Sequence, residues 1–188
     1  SLSWERSELV QLPEGFKGLT GTNGESVPVQ ENGGRTTAEV ILPPCGWKSY
    51  KEGDPLYPEN TIIAERNRLE NDLVRVTFNE YGEITSIFDK VNERELTIDR
   101  CNSLRMYQDI PSAFDAWDID SMYRLTPVDL PEKAEISVVA AGPLFGQLVF
   151  KRKLNQSVIS FRPIHIQASL LQNKPRFVWP MTKMHWSS

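Results

Sequence analysis

Alternation with a period of two runs through most of this chain. Val74, Val76 and Phe78 alternate with Arg75 and Thr77, so one face of a strand is apolar and the other polar. Asn79-Glu80-Tyr81-Gly82-Glu83 follows as a hairpin turn, with glycine available for positive φ, and Ile84-Thr85-Ser86-Ile87-Phe88 pairs back. Asp89-Lys90-Val91-Asn92 reads as the next turn. Upstream, residues 8–12 form a short apolar run stopped by Pro13-Glu14-Gly15. Residues 27–30 are strand-like, and Pro28 confines them to an edge or a bulge. Asn32-Gly33-Gly34 turns the chain into a strand over 36–42 that ends at Pro43-Pro44. Further strands are predicted at 103–107, 134–140, 147–153 and 160–168. No long segment carries a capped 3.6-residue period, and no tandem repeat or low-complexity tract is present. The fold class is therefore all-β, built from short strands of the kind that stack into sandwiches.

Glycine, proline and asparagine at Gly53, Pro55, Pro58 and Asn60 divide the pattern. Residues 1–50 read as the end of a small β-sandwich, 51–62 as a linker, and 63–188 as the first part of a larger β-unit. Such a unit, if it lacks later strands, exposes sheet edges and invites self-association. The chain opens at Ser1-Leu2-Ser3-Trp4, directly in a strand-like pattern and without methionine, so it is read as a piece of a longer polypeptide.

Composition narrows the partners. A net charge of −4 leaves no basic stripe for a phosphate backbone, so nucleic acid is not expected. No apolar run approaches a membrane span and nothing at the start resembles a signal peptide, so no membrane partner is expected. Cys45 and Cys101 do not make a disulfide framework and are expected as free, mostly buried thiols. The cytoplasm is the expected compartment.

The densest chemistry lies between Asp109 and Asp120, where four aspartates share twelve residues with Phe114 and Trp117. Pro111 argues against a helix, and a strand would bury a carboxylate, so an ordered loop is predicted. Carboxylates beside an aromatic face suit a sugar, whose C–H patches cover rings and whose hydroxyls donate to acids. Asp115, Asp118 and Asp120 have three readings: a glycosidase carboxylate pair, turn-capping residues, or groups that face a substrate held mostly elsewhere. Trp117 is either a core anchor or a sugar platform, and a seam between domains permits both. No metal site is predicted. His165 and His185 lack a second ligand at zinc spacing, and the aspartate loop has no glycine where a calcium loop needs one. There is no Gly-x-Ser-x-Gly elbow and no glycine-rich phosphate cradle. Sugar isomerisation would need a histidine with an acid partner, and only His165 is a candidate.

Four stretches together carry a resemblance. Leu69-Glu70-Asn71-Asp72-Leu73, with the run from Phe78 to Asp89-Lys90, is similar to the opening of the large β-domain of glycoside hydrolase family 38 α-mannosidases. Asp109-Ile110-Pro111 followed by Asp115-Ala116-Trp117-Asp118-Ile119-Asp120 resembles that family's aspartate–tryptophan loop. Pro43-Pro44-Cys45-Gly46-Trp47-Lys48-Ser49-Tyr50 resembles the close of the preceding small sandwich, and Leu2-Ser3-Trp4-Glu5-Arg6 its first strand. The similarity runs to about residue 168; the tail beyond keeps tryptophans but has no Asp or Glu, as a truncated or frame-shifted reading frame would give.

The resemblance implies a galactose-mutarotase-like supersandwich in an enzyme that removes terminal α-mannosides with retention. In that family an upstream domain carries zinc, nucleophile and acid/base. No catalytic residue and no cofactor is carried over to this chain, which alone is expected to be inactive. Asp115, Trp117, Asp118 and Asp120 are expected near the substrate. The implied partners are a mannose-containing glycan and the catalytic domain of the same parent chain. The alternative is a free-standing carbohydrate-binding sandwich.

Overall fold

The computed structural model describes residues 2–110, 119, 121–154, 157–167 and 177–178. Among them no α-helix occurs, and a single 3-10 turn, Tyr123–Leu125, interrupts an all-β chain. Among the described residues no helix is long and apolar enough to cross a membrane.

The first unit holds β1 (Arg6–Gln11), β2 (Leu19–Gly21), β3 (Val29–Asn32), β4 (Arg35–Leu42) and β5 (Tyr50–Glu52). Strands β1, β4 and β3 form one antiparallel sheet, and β2 pairs with β5. The β3–β4 hairpin turns on Gly33 and Gly34 with φ of 57° and 76°. Two positive φ values in succession match the twist of the flanking strands. Leu12, Leu19, Val27, Val29, Ala38 and Val40 fill the space between the layers. Pro28 sits just outside β3, where it makes an isolated bridge to Leu56. The missing proline N–H explains the late start of that strand.

The second unit is a sandwich of two sheets. One contains β6 (Ile63–Glu65), β7 (Arg68–Glu70), β8 (Val74–Phe78), β9 (Ile84–Asp89) and β10 (Arg94–Glu95). A two-stranded ribbon follows, β11 (Met106–Tyr107) with β12 (Pro127–Val128). The second sheet is β13 (Glu135–Ala141), β14 (Phe145–Leu154), β15 (Ser157–Gln167) and β16 (Phe177–Val178). Leu69, Val74, Val76, Phe78 and Ile84 from the first sheet meet Leu148, Phe150 and Ile166 from the second. The alternation read from Val74 to Phe78 is the burial pattern of β8.

Two buried amides bind the layers together. Gln30 of the first unit accepts from the backbone N–H groups of Leu144 and Phe145, both at 2.9 Å, and donates to the Phe145 carbonyl at 3.1 Å. Asn71 caps the β7–β8 turn and donates to the Gln167 carbonyl of the opposite sheet at 2.9 Å. Burial without partners would make each amide costly; with both its oxygen and its nitrogen bonded, each fixes one register.

Two expectations need correction. Cys45 and Cys101 are free, but Cys45 is exposed and Cys101 only half-buried. Cys45 lies at φ 46° in the turn after Pro43-Pro44, and its exposed thiol meets the Leu2 carbonyl at 3.5 Å. The strand expected over 103–107 is only Met106–Tyr107. Residues just before it are held differently: Cys101 bridges Ile84, and Asn102 at φ 57° donates to the Gly82 carbonyl.

Candidate functional site

The ribbon β11–β12 is the stalk from which the aspartate-rich segment springs. Gln108 N–H donates to the Thr126 carbonyl at 2.9 Å, and the Thr126 hydroxyl donates to the Gln108 carbonyl at 2.6 Å. Tyr107 and Tyr123 meet edge to face, centroids 5.2 Å apart. Both ends of the segment between 109 and 122 are therefore fixed at one place. Asp115, Trp117, Asp118 and Asp120 themselves lie outside the described residues. Ile110, Ile119, Met122 and Leu125 flank them, all well exposed. Four large apolar side chains beside one segment are more than scattered surface hydrophobics.

Beneath the ribbon lies an open cleft of about 480 Å³, lined among others by Tyr81, Glu83, Arg100, Arg105, Tyr107, Asp129 and Arg152. Three elements converge there. The Asn79–Gly82 turn brings Tyr81 and Glu83: Asn79 Oδ1 accepts from the N–H groups of Tyr81 and Glu83, both at 3.0 Å. The bridge at Cys101 pins the chain that carries Arg100 and Arg105. Strand β14 supplies Arg152. In β14 the inward face reads Gly146, Leu148, Phe150, Arg152, so the arginine occupies the position where the apolar core gives way to the cleft.

Arg152 is 5% exposed. Its Nε donates to the Glu132 carbonyl at 2.8 Å and its Nη2 to the Leu130 carbonyl at 2.6 Å. Its guanidinium carbon stands 5.2 Å from the Tyr81 ring centroid, a cation–π distance. The carbonyls are presented because Ala134 N–H donates to the Glu80 carbonyl and Lys133 pairs with Glu80 at 2.8 Å, tying this segment to the turn.

Glu83 is buried beside it. Burial pushes its carboxyl up, but hydrogen bonds from Asn79 and Ser103 and the Arg100 guanidinium outweigh burial and hold it below the ordinary carboxylate range. Asn79 donates at 2.7 Å and Arg100 at 3.3 Å. A carboxyl lowered in this way adds stability above its unfolded pKa, roughly 4.3, and loses it as pH falls through the lower folded value. Thermal melts between about pH 3 and 5 should therefore show the parent chain losing more stability on acidification than Glu83→Gln. Parallel curves would refute this.

Sequence reading missed this cleft. Its residues are scattered from 81 to 152, and no short motif joins them. One signal was available: an arginine on the inner face of an otherwise apolar alternating strand. Among the described residues no three of His, Cys, Asp and Glu come together to hold a metal ion.

Residues 69–176, more than half of the chain, match the family described as the glycosyl hydrolases family 38 C-terminal domain. The chain belongs to glycosyl hydrolase family 38. The fold agrees. A glycosyl hydrolase family 38 protein from Enterococcus faecalis superposes with a TM-score of 0.58 at 12% identity, covering 88% of this chain. An alpha-mannosidase from the same organism gives 0.53, also at 12% identity and 88% coverage. The chain spans 28% and 27% of the length of those two proteins. No curated protein matches the sequence. In this family 38 domain, charged and aromatic side chains among the described residues gather in the cleft beneath the ribbon.

Proposed function

We propose that this chain is the β-sandwich portion of an α-mannosidase and forms one wall of the cleft in which terminal α-mannosides are hydrolysed, with retention and with zinc bound elsewhere in the parent protein. Family membership, together with a ribbon that pairs the residues on either side of the aspartate-rich segment beside a sugar-sized cleft, supports this reading. Asp115, Trp117, Asp118 and Asp120 are the side chains proposed to face the mannose-containing glycan. The exposed Ile110, Ile119, Met122 and Leu125 suit contact with the catalytic domain of the same parent chain. Val138 and Val139, exposed on the edge strand β13, suit self-association.

No residue of this chain is assigned as nucleophile, acid or base. The isolated chain with added zinc is therefore expected to leave para-nitrophenyl α-mannoside intact. Chelator-sensitive turnover would overturn the division of labour. Titration with mannose separates the second reading, a free-standing binding module. Saturable binding by the isolated chain, lost in Trp117→Ala with an unchanged circular dichroism spectrum, would favour the module. Silence from the isolated chain, with glycan hydrolysis impaired when Trp117→Ala is placed in the full-length parent, supports the wall.

A further inference from the structure

Among the described residues no carboxylate pairs with the buried guanidinium of Arg152. Among the described residues its polar contacts are two carbonyl oxygens and the face of Tyr81. None of the ion pairs reaches it, although Arg100 beside it pairs with Glu83 at 3.3 Å. A guanidinium has five N–H donors in a fixed fork. Nε and Nη2 use the side-on edge of Arg152 for the Glu132 and Leu130 carbonyls. The end-on edge remains: both protons of Nη1 and the second proton of Nη2. Among the described residues Nη1 has no hydrogen-bond partner and is not one of the sealed, unsatisfied polar atoms, so it is reachable from the cleft that Arg152 lines. An end-on guanidinium edge matches a carboxylate or a phosphate, with two parallel N–H···O bonds.

The surroundings favour the same charge. Arg105 lines the cleft at its exposed rim and makes no ion pair among the described residues. Glu83 is already occupied by Asn79, Ser103 and Arg100. Asp129 lines the cleft on an exposed strand end and makes no described contact. Three guanidinium groups thus face two carboxylates, one of them committed. Burying a cation in low dielectric without an opposite charge is unfavourable, and an incoming anion relieves that penalty where a neutral hydroxyl does not. The cleft, at about 480 Å³, admits a ligand of sugar size.

We infer that the cleft beneath the ribbon binds the carboxylate or phosphate group of a sugar-sized ligand, with Arg152 gripping the anion end-on and Arg105 drawing it in from the rim. The inference rests on the glycan reading only for the sugar ring; the anion contact stands on Arg152 itself.

Calorimetric titration of the chain with glucuronate, glucose 1-phosphate, inorganic phosphate and neutral glucose tests it. At least one anionic sugar should bind about tenfold or more tighter than glucose. The two anionic sugars distinguish carboxylate from phosphate as the natural source. Arg105→Glu, at an exposed side chain with no ion pair or hydrogen bond among the described residues, should leave the melting temperature unchanged and weaken that binding about tenfold or more. Arg152→Gln should abolish it, and Arg152→Lys should retain only part, since an ammonium keeps the charge but not the fork. If the Arg152 variants fail to fold, Arg105→Glu decides alone. Equal affinity for glucose and for both anionic sugars, or anion binding unmoved by Arg105→Glu, would overturn the inference. So would the absence of any anion binding at about 10 mM. Arginine-dependent binding of inorganic phosphate with no gain from the sugar ester would support the anion site while telling against the glycan reading.

Discussion

Gly82→Ala should lower the unfolding free energy by about 2–4 kcal/mol, as read from urea denaturation with an unchanged m value. Two independent terms add. Gly82 has φ 77°, where a side chain is disfavoured by roughly 1–2 kcal/mol. A Cβ there would also stand 2.8 Å from Cδ1 of Phe150. Phe150 cannot yield easily: it is 1% exposed and its ring packs 5.1 Å from that of Phe78. The comparison that isolates the packing term is Gly34→Ala, at φ 76° with nothing within 4 Å of the new carbon. Only the conformational share, about 1 kcal/mol, should be lost there. Combining Gly82→Ala with Phe150→Ala should cost less than the sum of the two, because the second change removes the atoms that the first one strikes. Equal losses at Gly82 and Gly34 would show that the turn does not press on the core.

Asn71→Ala should cost about 2–5 kcal/mol. Asn71 is 5% exposed, and its Oδ1 accepts from the N–H groups of Leu73 and Val74 at 2.9 and 2.8 Å. Its Nδ2 donates to the Gln167 carbonyl at 2.9 Å. Alanine leaves two donors and one acceptor without a partner where water enters poorly, at roughly 1–3 kcal/mol each before relaxation. Amide exchange locates the damage: Leu73 and Val74 should exchange faster relative to the rest of β8 than in the parent chain. A loss spread evenly over both sheets, without that local signature, would assign Asn71 no capping role.

These two residues explain what was legible. The stretch Leu69-Glu70-Asn71 and the pair Asp89-Lys90 carried much of the family resemblance, and the structure gives each a framework task. Leu69 is a core residue. Glu70 pairs with Lys90 at 2.9 Å, and Lys90 also donates to the Asn71 carbonyl at 3.0 Å. Asp89 accepts from the N–H groups of Val91 and Asn92 and so closes the next turn. These interactions lie within one continuous run of antiparallel hairpins, so their chemistry shows in short sequence windows. Hairpins read well for the same reason: the glycines of the β3–β4 and β8–β9 turns sit where the backbone needs positive φ.

The site was legible only in part. Its stalk was missed because β12 is Pro127–Val128 and its partner Met106–Tyr107, pairs too short to show a period. The cleft was missed because Tyr81, Arg100, Tyr107 and Arg152 acquire a common purpose only when β14 lies over β8. Arg152 could have been flagged as a charge on an inner face, but its solvation by Leu130 and Glu132 carbonyls depends on a loop that Glu80 holds from another sheet.

The sequence by itself determined the strands' faces, the glycine turns and membership of family 38, because side-chain direction along an extended chain and backbone sterics are decided within a few residues. Only the tertiary structure decided which strands share a core, that Gln30 locks the first unit to the Leu144–Phe145 backbone, and that a buried guanidinium faces an open cleft. Those outcomes follow from burial and hydrogen-bond satisfaction between segments up to 115 residues apart, a balance that no local pattern records.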